Sequence, residues 1–300
     1  MDIVRGQVAV VTGGGSGIGL ALAHRFAQAG VSIMLADVQQ DALDAAGLAV
    51  AAHGVEVSTV RCDVSREDEV QALATATLER FGKVNIVCNN AGVAGKGDPW
   101  FGPLSSWEWV MGVNFWGVVH GCRAFLPYLL AGGHIVNTAS MAGLMPGFGP
   151  AYDASKHAVV ALSEDLFHNM TAAGLPVGVS VLCPGWVHTG IIDSERNWPA
   201  ELGAPPPSDP AGEIISGHVR RALAEGATPA YIADTVFDAV AGSRFWVLPQ
   251  QDFLDIAVDR WGSIAEHANP TQAAQVPGMP PRDQIRDEVL AALGLTPPAS

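Results

Sequence analysis

Short β-branched segments alternate with longer stretches rich in Ala and Leu along most of this chain, and this alternation restricts its fold more than any other feature. The pattern is typical of βαβ units that build a parallel sheet. Several strand candidates are apolar at consecutive positions, as strands covered by helices on both faces must be. The seven predicted strands are Val8–Val11, Ser32–Asp37, Glu56–Cys62, Asn85–Asn89, His134–Thr138, Val177–Cys183 and Phe245–Leu248. We expect an α/β fold, a doubly wound sheet of about seven parallel strands with helices on both faces.

Length and composition are consistent with one hydrophobic core. The chain has 300 residues, of which 49% are apolar and 15% are charged, which is enough for a single α/β domain. We expect that domain to span residues 1–265. Lys and Arg number 16 against 30 Asp and Glu, and the resulting net charge of −14 repels the phosphates of nucleic acids and of anionic membranes. We therefore expect neither nucleic acid nor membrane as a partner.

The N-terminal sequence and the cysteines indicate the compartment. The first residues contain no long apolar segment and no small-residue cleavage site, and no window approaches the roughly 18 uninterrupted apolar residues of a membrane span. Cys62, Cys88, Cys122 and Cys183 are far apart and form no CxxC pair. None of the nine histidines completes a metal-ligand set with its neighbours. We expect a cytoplasmic protein with buried, reduced thiols and no metal.

Two Pro-rich segments interrupt the alternation. Residues 186–226 carry five prolines and several glycines, which predicts a long insertion after the sixth strand. Long loops at the C-terminal ends of strands are often lids or substrate walls, although a plain surface loop has the same composition. Residues 266–300 form a Pro-rich tail with a short amphipathic helix near Gln284–Leu293. This tail could pack across a subunit interface or fray.

The first predicted strand leads directly into a glycine-rich turn, Thr12 to Gly19, and a helical segment follows. Residues without Cβ let the backbone pass close to a pyrophosphate while amides at a helix N-terminus point toward it. The spacing Gly-x-x-x-Gly-x-Gly differs from the standard fingerprint, so a purely structural glycine turn is the alternative. Strand, turn and helix together predict a Rossmann-type dinucleotide fold. The predicted cofactor contacts in the turn are Gly13, Gly15, Ser16, Gly17, Ile18 and Gly19.

An acidic residue ends the second predicted strand, about 20 residues after the glycines. Asp37 is placed to accept hydrogen bonds from the adenosine ribose, and its charge repels a 2′-phosphate. No Lys or Arg occurs within the turn, at Val38 or at Gln39 to neutralise such a phosphate. A helix N-cap is the alternative role for Asp37 and would not exclude the ribose contact. We predict NAD rather than NADP, with Asp37 and Val38 beside the adenosine.

Further motifs follow in order: Asp63 after the third strand, Asn89-Asn90-Ala91-Gly92 after the fourth, and Tyr152-x-x-x-Lys156. With the glycine turn, this set covers roughly residues 6–189 and resembles the classical short-chain dehydrogenase/reductase family. The resemblance implies an oxidoreductase that transfers hydride between NAD and a secondary alcohol or ketone. The cofactor contacts that it adds are Asp63, Val64, Asn90, Ala91, Gly92, Tyr152, Lys156, Pro184, Gly185, Val187 and Thr189.

Tyr152 and Lys156 carry the predicted chemistry. Hydride transfer needs a group that takes a proton from an alcohol or returns one to an alkoxide. A free tyrosine, with a pKa of about 10, is too weak an acid at neutral pH, but a lysine one helical turn later can stabilise its phenolate. The pair alone could be a surface contact. The resemblance adds Ser140, which binds the substrate oxygen, and Asn114, which anchors a water that links Lys156 to solvent.

The residues near this predicted site are mostly apolar. The predicted substrate contacts are Ser140, Met141, Ala142, Met145, Phe148, Trp186 and His188. Such walls suit a bulky hydrophobic alcohol or ketone, for example a steroid, terpenoid, aryl or alicyclic compound, although core packing would explain some of these residues equally well. No arginine clamp for a carboxylate or phosphate is evident in the sequence.

Two other functions stay open. A 3-oxoacyl reductase would usually combine NADPH with a basic docking surface, and neither cue is present. A non-enzymatic NAD sensor would normally lack part of the catalytic set, which is complete here. Members of the family usually pair the helices that match Ser106–Leu130 and Ala151–Ala173 across two-fold axes, so we expect a homodimer or homotetramer.

Overall fold

Seven parallel strands form one sheet in a computed structural model that describes residues 1–207 and 210–295. The strands are β1 (Val8–Thr12), β2 (Ser32–Asp37), β3 (Val57–Arg61), β4 (Ile86–Asn89), β5 (Gly133–Thr138), β6 (Val177–Leu182) and β7 (Trp246–Val247). All seven predicted strands are present, each end within one residue of its prediction. Their order is β3-β2-β1-β4-β5-β6-β7. The order reverses between β1 and β4, and this reversal opens a crevice at the C-terminal edge of the sheet.

Helices cover both faces of the sheet, which confirms the predicted doubly wound α/β fold. They are α1 (Gly17–Gln28), α2 (Gln40–Ala51), α3 (Glu67–Phe81), α4 (Ser105–Met111), α5 (Gly117–Leu129), α6 (Pro150–Ala172), α7 (Pro210–Ala224), α8 (Pro229–Ala241), α9 (Leu254–Ala265) and α10 (Arg282–Ala292). The sequence predicts helix starts near Gly17, Gln39, Glu67, Ser106, Ala151 and Thr228, and each lies within one residue of an observed start. At α8, for example, Thr228 caps the helix by accepting a hydrogen bond from the amide of Tyr231.

Alternate residues along the strands feed two cores, one on each face. Val10 and Met34 face α3, α5 and α6, where they join Phe125 and Val159. The neighbouring strand residues face α1, α2 and α8 and pack with Leu22. The four cysteines are buried in these cores, and burial raises the pKa of each thiol to about 12. Among the helices in the described part of the chain, none has the length and apolar character that crossing a bilayer requires.

The predicted insertion is more ordered than its composition suggested. Two short 3-10 helices, Ile191–Asn197 and Ala200–Leu202, come first, and α7 fills much of the second half. Its residues 208–209 lie outside the described part. The proline content suggested a loop without regular structure. Pro210, however, occupies the first position of α7, where the backbone N–H that proline lacks would have no partner within the helix.

The tail also folds back onto its own chain. Helix α9, which the sequence analysis did not predict, occupies the end of the predicted domain, and α10 lies close to the expected short helix. α10 packs on α7, and the Nε2 atom of His218 lies 2.6 Å from a carboxylate oxygen of Glu288. The described part of the tail therefore neither frays nor extends away from the domain, whereas residues 296–300 lie outside the described part.

Candidate active site

A cavity of about 830 Å³ opens at the C-terminal edge of the sheet, beyond the ends of the neighbouring strands β1 and β4. Segments after six strands, β1 to β6, line it, together with the insertion and the tail. Of the predicted cofactor contacts, all line the cavity except Gly15 and Gly19, which lie in the turn behind its wall. Most of the residues that the motifs singled out are therefore gathered around one space.

The glycine turn forms a backbone cradle that side chains would fill. Gly13 has a φ of +64°, and a Cβ there would lie 2.9 Å from the Cα of Ala91. A Cβ on Gly17, whose φ is +54°, would lie 3.1 Å from the side chain of Thr189. A Cβ on Gly19 would lie only 2.1 Å from the carbonyl oxygen of Gly13. The turn thus brings bare backbone to the cavity at the start of α1, which suits a pyrophosphate.

The loop after β4 is tied to this turn by one side chain. The hydroxyl of Thr12 accepts hydrogen bonds from the backbone amides of Asn90 and Ala91, at 3.0 and 3.1 Å. The side-chain amide of Asn90 donates to the carbonyl of Thr12 at 3.1 Å. These bonds hold the two loops in register on either side of the crevice.

Asp37 lies at the far end of the cavity with a fixed carboxylate. One oxygen accepts from the amide of Gly15 at 2.9 Å and the other from the amide of Gln39 at 3.0 Å. Arg196, from the insertion, places its Nε 3.4 Å from the side-chain oxygen of Gln39 and also donates to the carbonyl of Asp193. An arginine from the insertion therefore contacts the segment just after Asp37, which the local sequence could not reveal.

Asp63 and Val64 line the cavity beside β3. The carboxylate of Asp63 accepts hydrogen bonds from the amide and hydroxyl of Ser65, at 2.9 and 2.7 Å. The carbonyl of Val64 bonds the Nδ1 atom of His120 at 2.9 Å. Both residues are thereby held rigidly at the position where the family resemblance places the adenine.

Ser140, Tyr152 and Lys156 meet at one wall of the cavity. Ser140 follows β5, and its hydroxyl donates to the carbonyl of Pro184 at 3.3 Å. Lys156 is 2% exposed, and its ammonium donates to the carbonyl of Thr138 at 2.9 Å. The Nζ atom lies 5.6 Å from the centroid of the Tyr152 ring. Because tyrosine and lysine are four residues apart on α6, both face the cavity.

Burial dominates the titration of this pair. It raises the pKa of Tyr152 to about 12, which outweighs the opposing hydrogen bond from Ser140, and it lowers the pKa of Lys156 to about 8. The direction for Tyr152 is opposite to the lowering that the Tyr-Lys spacing predicts. The reason is that burial penalises the charged phenolate, while the ammonium of Lys156 donates to the carbonyl of Thr138.

Asn114 lies behind this wall, in a π-helical turn, Gly112–Trp116, between α4 and α5. Its side-chain oxygen accepts from the amide of Val93 at 2.8 Å, and its nitrogen donates to the carbonyl of Val93 and to the hydroxyl of Ser155. Asn114 is fully buried and lies outside the cavity lining. It connects the loop after β4 to α6, one residue before Lys156.

The segment after β6, which the family resemblance assigns to the nicotinamide, is held in place by hydrogen bonds to Gln250. The amide of Gly185 donates to the side chain of Gln250 at 2.7 Å, and Gln250 donates to the carbonyl of Trp186 at 2.7 Å. A Cβ on Gly185 would lie 2.4 Å from the ring of Phe253. Pro184, Gly185, Val187 and Thr189 thus line the cavity on a fixed backbone.

Four of the predicted substrate contacts do not reach the cavity. Met141, Ala142 and Met145 are at most 1% exposed and belong to the core, because the chain after Ser140 turns down onto α6. His188 is exposed and outside the lining, with its amide bonded to the carbonyl of Ala227. The prediction for these residues is corrected accordingly.

Phe148 and Trp186 do line the cavity, where their rings pack edge to face with centroids 5.4 Å apart. Above them lie residues that the sequence analysis missed. Trp186 donates from its indole N–H to the carbonyl of Pro277 at 2.6 Å, which places the tail over this part of the cavity. The tail residues in the lining are Val276, Met279, Pro280, Arg282 and Ile285. The amphipathic pattern of α10 was the one signal that could have pointed to them.

Comparison with known proteins agrees with this geometry. A family model described as short chain dehydrogenase matches residues 7–200. The 1-deoxy-11-beta-hydroxypentalenate dehydrogenase of Streptomyces avermitilis is 39% identical over 267 residues, 87% of this chain and 91% of the relative. The 3beta-hydroxysteroid dehydrogenase 2 of Eggerthella lenta is 36% identical over 67% of this chain and 78% of the relative.

A solved structure is similar over nearly the whole length. The crystal structure of a short chain dehydrogenase/reductase from Burkholderia phymatum in complex with NAD has a TM-score of 0.89 and 42% sequence identity. The match covers 92% of this chain and all of that one. The similarity therefore extends beyond the dinucleotide-binding half into the insertion and the tail.

Proposed function

The chain belongs to the short chain dehydrogenase family, and we propose that it is an NAD-dependent dehydrogenase of bulky, hydrophobic secondary alcohols. It is an enzyme that moves hydride between a nicotinamide dinucleotide and an alcohol or ketone. The observation that carries the proposal is the meeting of Ser140, Tyr152 and Lys156 at one cavity wall. A sensor would not need this arrangement.

The choice of NAD over NADP rests on Asp37. Two backbone amides hold its carboxylate in place at the end of the cavity. There it can accept both ribose hydroxyls, whereas a 2′-phosphate would meet its negative charge at close range. Arg196 is engaged by backbone carbonyls of its own segment, and so it offsets this repulsion only in part.

The cofactor contacts proposed here are the cradle and the segments that line it. The bare backbone at Gly13 and Gly17 would receive the pyrophosphate, and Asp63 with Val64 would bound the adenine. The segment around Gly185 would orient the nicotinamide. When bound, the cofactor supplies the hydride acceptor, and the chain supplies the proton chemistry.

Proton transfer falls to Tyr152, whose hydroxyl faces the cavity beside Ser140. Ser140 orients the substrate oxygen. The ammonium of Lys156, together with the positive charge of an oxidised nicotinamide, would stabilise the phenolate of Tyr152. Without such charge, burial keeps the phenol protonated, as its pKa of about 12 indicates. Asn114 positions the loop after β4 and the start of α6, and we propose that it also holds the water through which Lys156 exchanges protons.

Bulky apolar substrates suit the far wall of the cavity. Phe148 and Trp186 form an aromatic surface, and the tail adds Val276, Met279 and Ile285. Two relatives are named for polycyclic hydroxy compounds, a hydroxypentalenate and a hydroxysteroid. Because cellular NAD is mostly oxidised, we propose that the enzyme works mainly in the direction of alcohol oxidation.

We also propose that the enzyme is a homodimer or homotetramer. On the outer side of α5, Tyr128 is 46% exposed, and Trp116 just before the helix is 50% exposed. Large aromatic side chains that are exposed on a single subunit are often buried at the centre of a subunit interface. Sedimentation analysis of the full chain tests this, and a monomer at micromolar concentration would contradict it.

The test of the proposed reaction follows reduced nicotinamide while the protein is mixed with NAD or NADP and a panel of steroid, terpenoid, benzylic and aliphatic secondary alcohols. We expect turnover with NAD and a bulky alcohol, and a roughly 10²- to 10⁴-fold loss of kcat in Tyr152→Phe, because proton transfer is removed. Tyr128→Phe, at an exposed tyrosine outside the cavity, is the matched control. Full activity in Tyr152→Phe would contradict the mechanism, and preference for NADP with a 3-oxoacyl thioester would favour the ketoreductase alternative.

A further inference from the structure

Arg282, at the start of α10, is a cation at the substrate end of the cavity. We propose that it binds a carboxylate of the substrate, so that the natural substrate is a hydroxy acid with an apolar body between alcohol and carboxylate. The inference rests on the proposed function and specifies the substrate class of the same site. It also supplies an arginine clamp, which was not evident in the sequence.

The side chain of Arg282 is held in place from one side only. Its Nε donates to the carbonyl of Ala273 at 2.8 Å, and its backbone amide donates to the carbonyl of Ala274 at 2.9 Å. The residue is half-buried and lines the cavity. One edge of the guanidinium therefore anchors the tail. Within the described part of the chain, neither terminal nitrogen donates a hydrogen bond, so both are available to a ligand with two oxygens.

No carboxylate of the described residues forms an ion pair with Arg282, whereas two other cations of the lining are paired in this way. Arg220 pairs with Asp193 at 2.5 Å, and Lys96 pairs with Glu195. A half-buried guanidinium that has lost part of its hydration gains most from an anionic partner. Because the chain has a net charge of −14, an anionic substrate also needs a local cation of this kind to bind.

The guanidinium lies directly against the loop that precedes the catalytic helix. A Cβ on Gly147 would lie 2.7 Å from the Nη2 atom of Arg282, so the glycine leaves room for it. Asp153, in the first turn of α6, accepts from the amides of Gly147 and Phe148 in that loop and is thus already engaged. Asp153 also adjoins Tyr152, so the same short segment sets the position of the arginine relative to the phenol.

The space between the two ends is apolar. Phe148 and Trp186 line it from the domain, and Ile285 lines it from the same helix as Arg282. A substrate that fills it would present its carbinol to Tyr152 and its carboxylate to Arg282, with the hydrocarbon body against these rings. Charge at one end would fix which hydroxyl of a multifunctional molecule is oxidised.

The test compares hydroxy acids with their methyl esters, which differ only in charge at the distal group. Suitable pairs are 4-hydroxycyclohexanecarboxylate, 12-hydroxystearate and 3β-hydroxy-5-cholenoate, each with its ester. We expect the wild type to prefer the acid of at least one pair. Arg282→Gln should raise KM for that acid at least tenfold with little change in kcat, and should leave KM for the ester unchanged. Arg286→Gln, at an exposed arginine on the same helix, is the matched control and should behave as wild type.

A binding measurement separates this inference from the proposed reaction. Quenching of tryptophan fluorescence by each acid, in the presence of reduced NAD, gives a dissociation constant that needs no turnover, because Trp186 lines the cavity. A weaker dissociation constant for the acid in Arg282→Gln supports the proposal even if no alcohol is oxidised. Three results would overturn it: equal affinity of the wild type for acid and ester, no binding of any acid, or equal losses for acid and ester in Arg282→Gln.

Discussion

Replacing Lys156 by methionine should change how the stability of the folded chain depends on pH. Burial lowers the pKa of Lys156 from 10.5 to about 8 in the folded chain, whereas in the unfolded chain the ammonium is hydrated. Between these two pKa values the unfolded state binds more protons than the folded state. The free energy of unfolding of the wild type should therefore rise with pH across this window, and the variant should lack this rise.

The size of the effect follows from the shift. Each pKa unit corresponds to about 1.4 kcal/mol, so the full shift is worth about 3 kcal/mol once the pH exceeds both values. The lysine is 2% exposed, and so solvent screening reduces this little. Tyr152, with a pKa raised to about 12, contributes with the opposite sign at higher pH. The measurement therefore runs from about pH 7 to about pH 9.5, where about 2 kcal/mol should appear.

The assay is urea unfolding followed by tryptophan fluorescence at fixed protein concentration, repeated across the window for wild type and Lys156→Met. The unfolding free energy of the wild type relative to the variant should increase by about 2 kcal/mol from the lower to the higher pH. Lys83→Met, at an exposed lysine, is the control, and its unfolding free energy should depend on pH as that of the wild type does. A relative stability that stays flat or falls as the pH rises would refute the argument that the ammonium is desolvated.

Two further substitutions test the cofactor end. Asp37→Asn should raise kcat/KM for NADP relative to NAD by at least about tenfold, because it removes the repulsion between the carboxylate and the 2′-phosphate. Asp41→Asn, at an exposed acid on α2, is the control and should leave this ratio unchanged. An unchanged ratio in Asp37→Asn would contradict the role of Asp37. Gly19→Ala should lower the free energy of unfolding by about 1–3 kcal/mol, since its Cβ would lie 2.1 Å from a backbone oxygen. Gly262→Ala, in open space on α9, should instead stabilise the helix by about 0.5–1 kcal/mol, and denaturation curves that show equal effects would count against the steric argument.

Much of the fold could be predicted because its signals are local. Consecutive apolar residues in β1 and β4 indicate strands buried on both faces, and Thr228 before Pro229 marks the start of α8. The proximity of Tyr152 to Lys156 also follows from local geometry, since four residues make about one helical turn. The family resemblance extended these local signals to Ser140 and Asn114.

The substrate wall was predicted less well because orientation is not a local property. Met141 and Met145 follow Ser140 closely in sequence, yet they point into the core, since the chain turns down onto α6 after the strand. His188 lies next to the cofactor segment but faces away from the cavity. Proximity along the chain placed these residues near the site without determining which way their side chains point.

The sequence by itself determined the strands, the glycine cradle, the acid at the end of β2 and the spacing of the catalytic pair, because each depends on backbone preferences and side-chain periods within one or two elements. The tertiary structure alone decided that Arg196 reaches Gln39, that Trp186 bonds Pro277 and that Arg282 enters the cavity. These contacts join segments that are far apart in the chain. They form only when the docking of whole elements offsets the entropy of closing the long loops between them, and no short pattern of residues records that balance.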